Sequence, residues 1–194
     1  MAQILRDRID KDGKVLNDRV LKVDSFLNHQ VDPHLIMSLG QAFADHFKDR
    51  QVTKVLTLEA SGIHIAFATA LRLDIPFVFA KKRPASTQQG SGVYTAEVES
   101  FTRGQTCSIT VSKDYITSED RILIIDDFLA AGNAALGLIS VVRQANAEIV
   151  GVGIAVEKSF QTGRKRLEDE GIEVLSLARL KSMDPATGVE YVKE

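Results

Sequence analysis

The stretch 121–138, RILIIDDFLAAGNAALGL, constrains the fold of this chain more tightly than any other. Its aliphatic run 122–125 reads as a strand buried on both faces, which requires a parallel sheet with helices on either side. The run meets Asp126 and Asp127, adjacent carboxylates where the apolar strand stops. Ala130, Ala131, Gly132, Asn133 and Ala134 follow, all small, and open a helix in which Leu138, Val141, Val142 and Ala145 recur at i, i+3, i+4, i+7. Strand, acidic pair, small-residue loop and helix N-terminus together make a ligand site at the carboxyl edge of an open α/β sheet. The loop's free N–H groups and the helix dipole suit a phosphate, and small side chains let that anion reach the backbone. The carboxylates would repel a phosphate, so they suit hydroxyls or a cation beside it. A phosphorylated ribose satisfies both demands.

The rest of the sequence narrows the class. The 194 residues suffice for a full core, and 1–194 read as a single domain with no repeat, low-complexity tract or linker. A net charge of −2 gives no basic footprint for nucleic acid. The single cysteine, Cys107, has no internal disulfide partner and no accompanying metal cluster. It alternates with Ile109 and Val111 against Ser108, Thr110 and Ser112, the pattern of a buried strand position. Charges interrupt every apolar run of the opening MAQILRDRIDKDG, unlike a signal peptide, and no apolar stretch approaches the ~20 residues that span a bilayer. The expectation is a soluble, cytoplasmic protein that binds neither nucleic acid nor membrane.

In chain order, 4–12 make a short charged helix closed by Gly13. The segment 20–30, VLKVDSFLNHQ, commits to neither helix nor strand. Asp32 is the expected N-cap, with Pro33 at the first position of a helix carrying Leu35, Leu39, Phe43 and Phe47 as a core stripe. A second strand, 55–58, runs into Glu59, Ala60, Ser61 and Gly62 and then a helix over 63–73, either a second anion site or a generic strand-to-helix turn. His64, on that helix's first turn, reads as an anion contact or as a surface histidine. A short strand 77–80 delivers Lys81, Lys82 and Arg83 at its end, to neutralise a phosphorylated ligand or to stay solvated. The stretch 83–92, RPASTQQGSG, reads as a mobile loop of the kind that forms lids. The alternating runs 93–101 and 106–111, with Arg103 and Gly104 between them, read as an antiparallel hairpin. An apolar strand, 149–156, leads to Glu157, Lys158, Ser159 and Phe160. Its glycines do not complete GxGxxG, and no Walker A sequence is present. A helix around 164–170 and a last strand, 172–177, complete the sheet, and the tail from Met183 carries no legible chemistry.

The aliphatic run, acid pair, glycine and helix resemble the ribose-phosphate signature of the type I phosphoribosyltransferases. DDFLAAG, VLKVDSFLNHQ and VEKSF, in this order and spacing, resemble its bacterial xanthine-specific branch. The resemblance implies an open parallel sheet flanked by helices, an N-terminal hood over 1–32 and a flexible loop and β-hairpin lid over 83–112. It implies transfer of the 5-phosphoribosyl group from 5-phosphoribosyl 1-diphosphate to N9 of xanthine, giving xanthosine 5'-monophosphate and diphosphate. Asp126 and Asp127 would hold the ribose hydroxyls, and Ala130, Ala131, Gly132, Asn133 and Ala134 the 5-phosphate. Glu59, Ala60, Ser61, Gly62 and Lys81 would hold the diphosphate. Leu21, Asn28, Lys158 and Phe160 would hold the purine, Lys158 through its 6-oxo group. Asn28 suits a ring edge with two carbonyls, because its amide donates and accepts, yet the residue reads equally as a turn Asn. Mg²⁺, bound mainly through substrate oxygens, is the implied cofactor and a homodimer the implied assembly. The chain departs from hypoxanthine-guanine members at Ala130, where those carry an Asp proposed as a base toward N7.

Two alternatives stand beside this expectation. One keeps the chemistry but changes the base to adenine or guanine; Lys158 argues against adenine, which presents an amino donor at that edge. The other is a regulator that senses the same phosphorylated sugar and binds DNA. About thirty residues precede the first core helix, too few for the winged-helix module such regulators carry.

Overall fold

The computed structural model describes residues 2–84, 92–100 and 105–193. Residues 85–91 of the expected loop 83–92, and Arg103 and Gly104 of the expected hairpin turn, lie outside the described residues.

In chain order the elements are α1 (Ala2–Asp12), β1 (Lys14–Val15), β2 (Leu21–Lys22), a single wide helical turn Asp24–Asn28, α2 (Pro33–Phe47), a 3₁₀ turn Lys48–Arg50, β3 (Lys54–Leu58), α3 (Ile63–Leu73) and β4 (Phe77–Pro84). They continue as β5 (Val93–Ser100), β6 (Gln105–Ser112), β7 (Arg121–Leu129), α4 (Asn133–Gln144), β8 (Glu148–Lys158), α5 (Gly163–Asp169), β9 (Val174–Asp184) and β10 (Gly188–Tyr191). Eight strands form one sheet in the order β10-β9-β8-β7-β3-β4-β6-β5. Its central five are parallel; β10 at one end and the β5–β6 hairpin at the other pair antiparallel.

The aliphatic run in β7 explains this layering. Ile122, Leu123, Ile124 and Ile125 are all fully buried, each removal from water contributing about 1.5–3 kcal/mol. Their side chains alternate between two cores. Leu123 and Ile125 pack with α1, α2 and α3 on one face of the sheet. Ile122 and Ile124 pack with α4, Leu167 of α5 and the hairpin on the other. The expected caps hold as well: Asp32 accepts from the backbone N–H of His34 at 3.0 Å and Leu35 at 3.2 Å, and the Leu35, Leu39, Phe43, Phe47 stripe is buried.

Several boundaries differ from the sequence reading, among them the last expected strand, 172–177, which is β9 and continues to Asp184. β7 does not stop at the acids but runs through them to Leu129, because β8 pairs alongside as far as Glu157. β4 does not end at Ala80; its continuation to Pro84 pairs with β6, so Lys81 and Lys82 lie inside a strand. The tail from Met183 forms a hairpin, in which Asp184 accepts from the N–H groups of Ala186 and Thr187, and Tyr191 of β10 donates to Asp10 of α1 at 2.8 Å. Among the described residues no helix is long and apolar enough to cross a membrane.

Candidate active site

The site forms where β3, β4, β7 and β8 present their carboxyl ends. Asp126 and Asp127 sit side by side in β7, each 7 % exposed, and the Asp127 N–H donates to Asp126 Oδ1 at 3.0 Å. Burial, and next the neighbouring Asp127 charge, push the Asp126 carboxyl well above the usual carboxylate range. The cation that opposes this shift is Lys82. Lys81, the basic residue favoured by the resemblance, instead lines a cavity with Phe77, Phe79 and Tyr115. Strand alternation separates the two lysines, and the extended β4 decides which one faces the acids.

The loop between β3 and α3 closes against the same carboxylates. The Glu59–Ala60 peptide is cis, and Glu59 Oε1 accepts from the Lys82 N–H at 2.6 Å. At Gly62 the backbone comes so near that an added Cβ would lie 2.1 Å from Thr57 Oγ1 and 2.9 Å from Asp126 Oδ1. The structure thus brings the predicted diphosphate loop and the acidic pair together. His64, half-buried on the first turn of α3, lies between the Leu27 carbonyl and the Asp127 charge. Burial lowers its pKa against both of these influences, and its Nε2 makes no hydrogen bond.

On the other side of Asp127, residues 130–132 turn from β7 into α4. Gly132 adopts φ +85°, a backbone conformation that costs a non-glycine residue strain. The helix begins at Asn133, so the N–H groups of its first turn have no acceptor within the helix. The segment after β8 backs this loop, with the Gly163 N–H donating to the Ala130 carbonyl at 2.9 Å.

Lys158, the last residue of β8, places its ammonium 5.4 Å from the Phe128 ring centre and donates to the Arg19 carbonyl. Burial pushes its pKa down. Phe128 was not singled out from the sequence; its signal was its place directly after the acids on a strand, beside Val156 of β8. Phe160 is 41 % exposed and shares a cavity of about 490 Å³ with Arg19, Ala131 and Lys181. Leu21 is buried in the core, whereas Asn28 is exposed at the end of the hood turn. Glu157, beside Lys158 and 1 % exposed, receives Arg164 of α5 through two guanidinium nitrogens, Ser159 at 2.6 Å and Arg179 of β9 at 3.4 Å. Burial alone would raise its pKa, but the hydrogen bonds and charge of Arg164, with Ser159, bring it down to about 2.

Fold and site set a loop that opens helix α4 beside a buried carboxylate pair at the carboxyl end of a parallel sheet, the arrangement of a nucleotide- or sugar-phosphate-binding α/β protein. The phosphoribosyl transferase domain family matches residues 28–176, and the chain belongs to that family. It is 54 % identical to a xanthine phosphoribosyltransferase of Brevibacillus brevis, over 98 % of this chain and 96 % of that one. It is 50 % identical to another of Oceanobacillus iheyensis, over 95 % of each. Among solved structures, an adenine phosphoribosyltransferase of Rhodothermus marinus superposes with a TM-score of 0.74 at 26 % identity, covering 93 % of this chain and all of that one. One from Saccharomyces cerevisiae shares the fold with the same TM-score at 24 % identity, over 91 % of this chain and 97 % of that one.

Proposed function

We infer that this protein transfers the 5-phosphoribosyl group of 5-phosphoribosyl 1-diphosphate to N9 of xanthine, releasing diphosphate and xanthosine 5'-monophosphate in purine salvage. Relatives of that name, half identical over nearly the whole chain, support the choice of base. The structural observation that carries it is Lys158, a donor fixed at the sheet edge between the Phe128 ring and the hood's Arg19 carbonyl. A purine lying on Phe128 offers its 6-oxo acceptor to such a lysine, and Asn28 and Leu21 of the hood close over the remaining edge.

In this reading catalysis is placement. Residues 130–134 hold the 5-phosphate, Asp126 and Asp127 the ribose hydroxyls, and the loop 59–62 the departing diphosphate. Lys82 joins that set, and Lys81 lies one residue away on the opposite face of β4. Hard carboxylate oxygens beside a diphosphate fit Mg²⁺, whose ligands in this reading come mainly from substrate. When bound, Mg²⁺ neutralises charge on the diphosphate. The oriented N–H groups and carboxylates then stabilise charge that develops as the glycosidic bond to diphosphate breaks. Ala130 stands where a base toward N7 would be, and no side chain is assigned that proton.

We also propose a homodimer. Phe67 and Leu71 lie one turn apart on α3 and are 51 % and 56 % exposed; Phe67 meets Phe77 of β4 edge-on at 6.1 Å, and Phe77 neighbours the exposed Phe79. An apolar patch of this kind marks an interaction surface, and its border carries Lys81. The activity test is incubation with 5-phosphoribosyl 1-diphosphate, Mg²⁺ and an equimolar mixture of xanthine, guanine, hypoxanthine and adenine. Xanthosine 5'-monophosphate as main product supports the reading; adenosine monophosphate as main product overturns it.

A further inference from the structure

We propose that Arg166 is a positioning residue for the 5-phosphate: its guanidinium, with the Gly163 N–H, pins the back of the loop 130–133 so that the loop's N–H groups face the ligand. This inference rests on the assignment of that loop to the 5-phosphate. Arg166 Nη1 donates to the Ala131 carbonyl and to Asn133 Oδ1, the latter at 2.7 Å. Gly163, three residues earlier, donates to the Ala130 carbonyl at 2.9 Å. Two consecutive carbonyls of the anion loop are therefore held by residues of α5.

The consequence follows from the peptide unit. In a planar trans peptide the C=O and the following N–H point in opposite directions. A carbonyl of Ala130 drawn toward Gly163 turns the Ala131 N–H away from α5. A carbonyl of Ala131 drawn toward Arg166 does the same for the Gly132 N–H. Both N–H groups then point to the side opposite α5, and Gly132, at φ +85°, permits the reversal that leads into α4. The packing leaves little slack, since a Cβ on Gly132 would lie 3.1 Å from the Gly163 Cα, and one on Gly163 would lie 2.3 Å from the Ala130 oxygen. An anion loop whose carbonyls were free could turn one of them inward, where it would repel a phosphate.

Arg166 is exposed, so its removal leaves no buried group unpaired and tests the loop rather than the core. The experiment compares wild type, Arg166→Ala and Arg166→Lys by steady-state kinetics, thermal melting, and calorimetric binding of ribose 5-phosphate and of Mg²⁺-diphosphate. In Arg166→Ala, KM for 5-phosphoribosyl 1-diphosphate and Kd for ribose 5-phosphate rise roughly tenfold, the loss of about one charge-assisted hydrogen bond. KM for xanthine, kcat, Mg²⁺-diphosphate affinity and Tm stay near wild type. Arg166→Lys recovers only part of the affinity, because its ammonium ends one atom nearer the backbone than the Nη1 that donates to both acceptors. Wild-type affinity for ribose 5-phosphate in Arg166→Ala overturns the proposal. Full recovery in Arg166→Lys overturns the brace in favour of plain charge. Failure of the wild type itself to bind ribose 5-phosphate overturns the loop assignment and this inference with it.

Discussion

Glu157→Gln is the substitution whose effect can be worked out most fully from the structure. The side chain is 1 % exposed, with Arg164 on two nitrogens and Ser159 and Arg179 on the same carboxylate. Its pKa lies at about 2, against 4.5 ordinarily. A folded-state pKa below the unfolded one means that the unfolded chain binds more protons between these values. Stability therefore rises with pH across that window and is fully present above it. The displacement corresponds to roughly 3 kcal/mol at neutral pH. Arg164 and Arg179 are themselves 21 % and 35 % exposed, and solvent screening brings the figure to about 2–3 kcal/mol. For a chain of this size that is a Tm lower by roughly 5–10 °C at pH 7. About a quarter of the difference disappears by pH 4 and more than half by pH 3, as the unfolded carboxylate takes up its proton. The assay is thermal or urea unfolding of both proteins at a series of pH values. Equal stabilities at pH 7, or a gap that does not narrow in acid, would refute the reasoning. Activity is expected to fall as well, because Glu157 ties α5, and through it the loop 130–133, to the strand end that carries Lys158.

Three further outcomes are expected. Asp126→Asn raises the stability of the ligand-free protein at pH 8 by about 0.5–2 kcal/mol while lowering kcat, a trade of activity for stability. The sign follows from a folded pKa above the unfolded one, which costs stability as pH rises past the usual carboxylate range, so the gain vanishes in acid; a less stable variant at pH 8 would count against it. Gly62→Ala drives a methyl into Thr57 and Asp126, costing about 1–3 kcal/mol by overpacking and raising KM for 5-phosphoribosyl 1-diphosphate; unchanged melting and kinetics would show that the loop is not held against the acids. Phe67→Asp shifts the protein from dimer to monomer in light scattering, and an unaltered mass would remove that face as the interface.

What the sequence disclosed followed the range of the interactions involved. α2 was legible because its signals are local, an Asp–Pro cap and an i, i+4 stripe. The two-sided burial of β7 was legible because an aliphatic run without alternation has few other uses. The faces taken by Lys81 and Lys82 were not legible, because they depend on the pairing of β4 with β6, nearly thirty residues further along. Phe128 was missed for a related reason: its value as a ring surface depends on Lys158 reaching it from a neighbouring strand. β10 was invisible because the short run 188–191 carries little apolar pattern, and its place is fixed by β9 and by Tyr191 bonding to α1. Arg166 was not singled out at all, because its acceptors lie thirty-five and thirty-three residues away in the chain.

The measurement that bears most directly on the account is kcat/KM for xanthine, guanine, hypoxanthine and adenine, each with 5-phosphoribosyl 1-diphosphate and Mg²⁺, in wild type and Lys158→Ala. The account predicts a clear preference for xanthine in the wild type. It also predicts a loss of roughly tenfold or more in the variant for the 6-oxo bases, from a charged hydrogen bond removed, and little change for adenine. A wild type that prefers adenine, or a variant that keeps its full rate with xanthine, would contradict it.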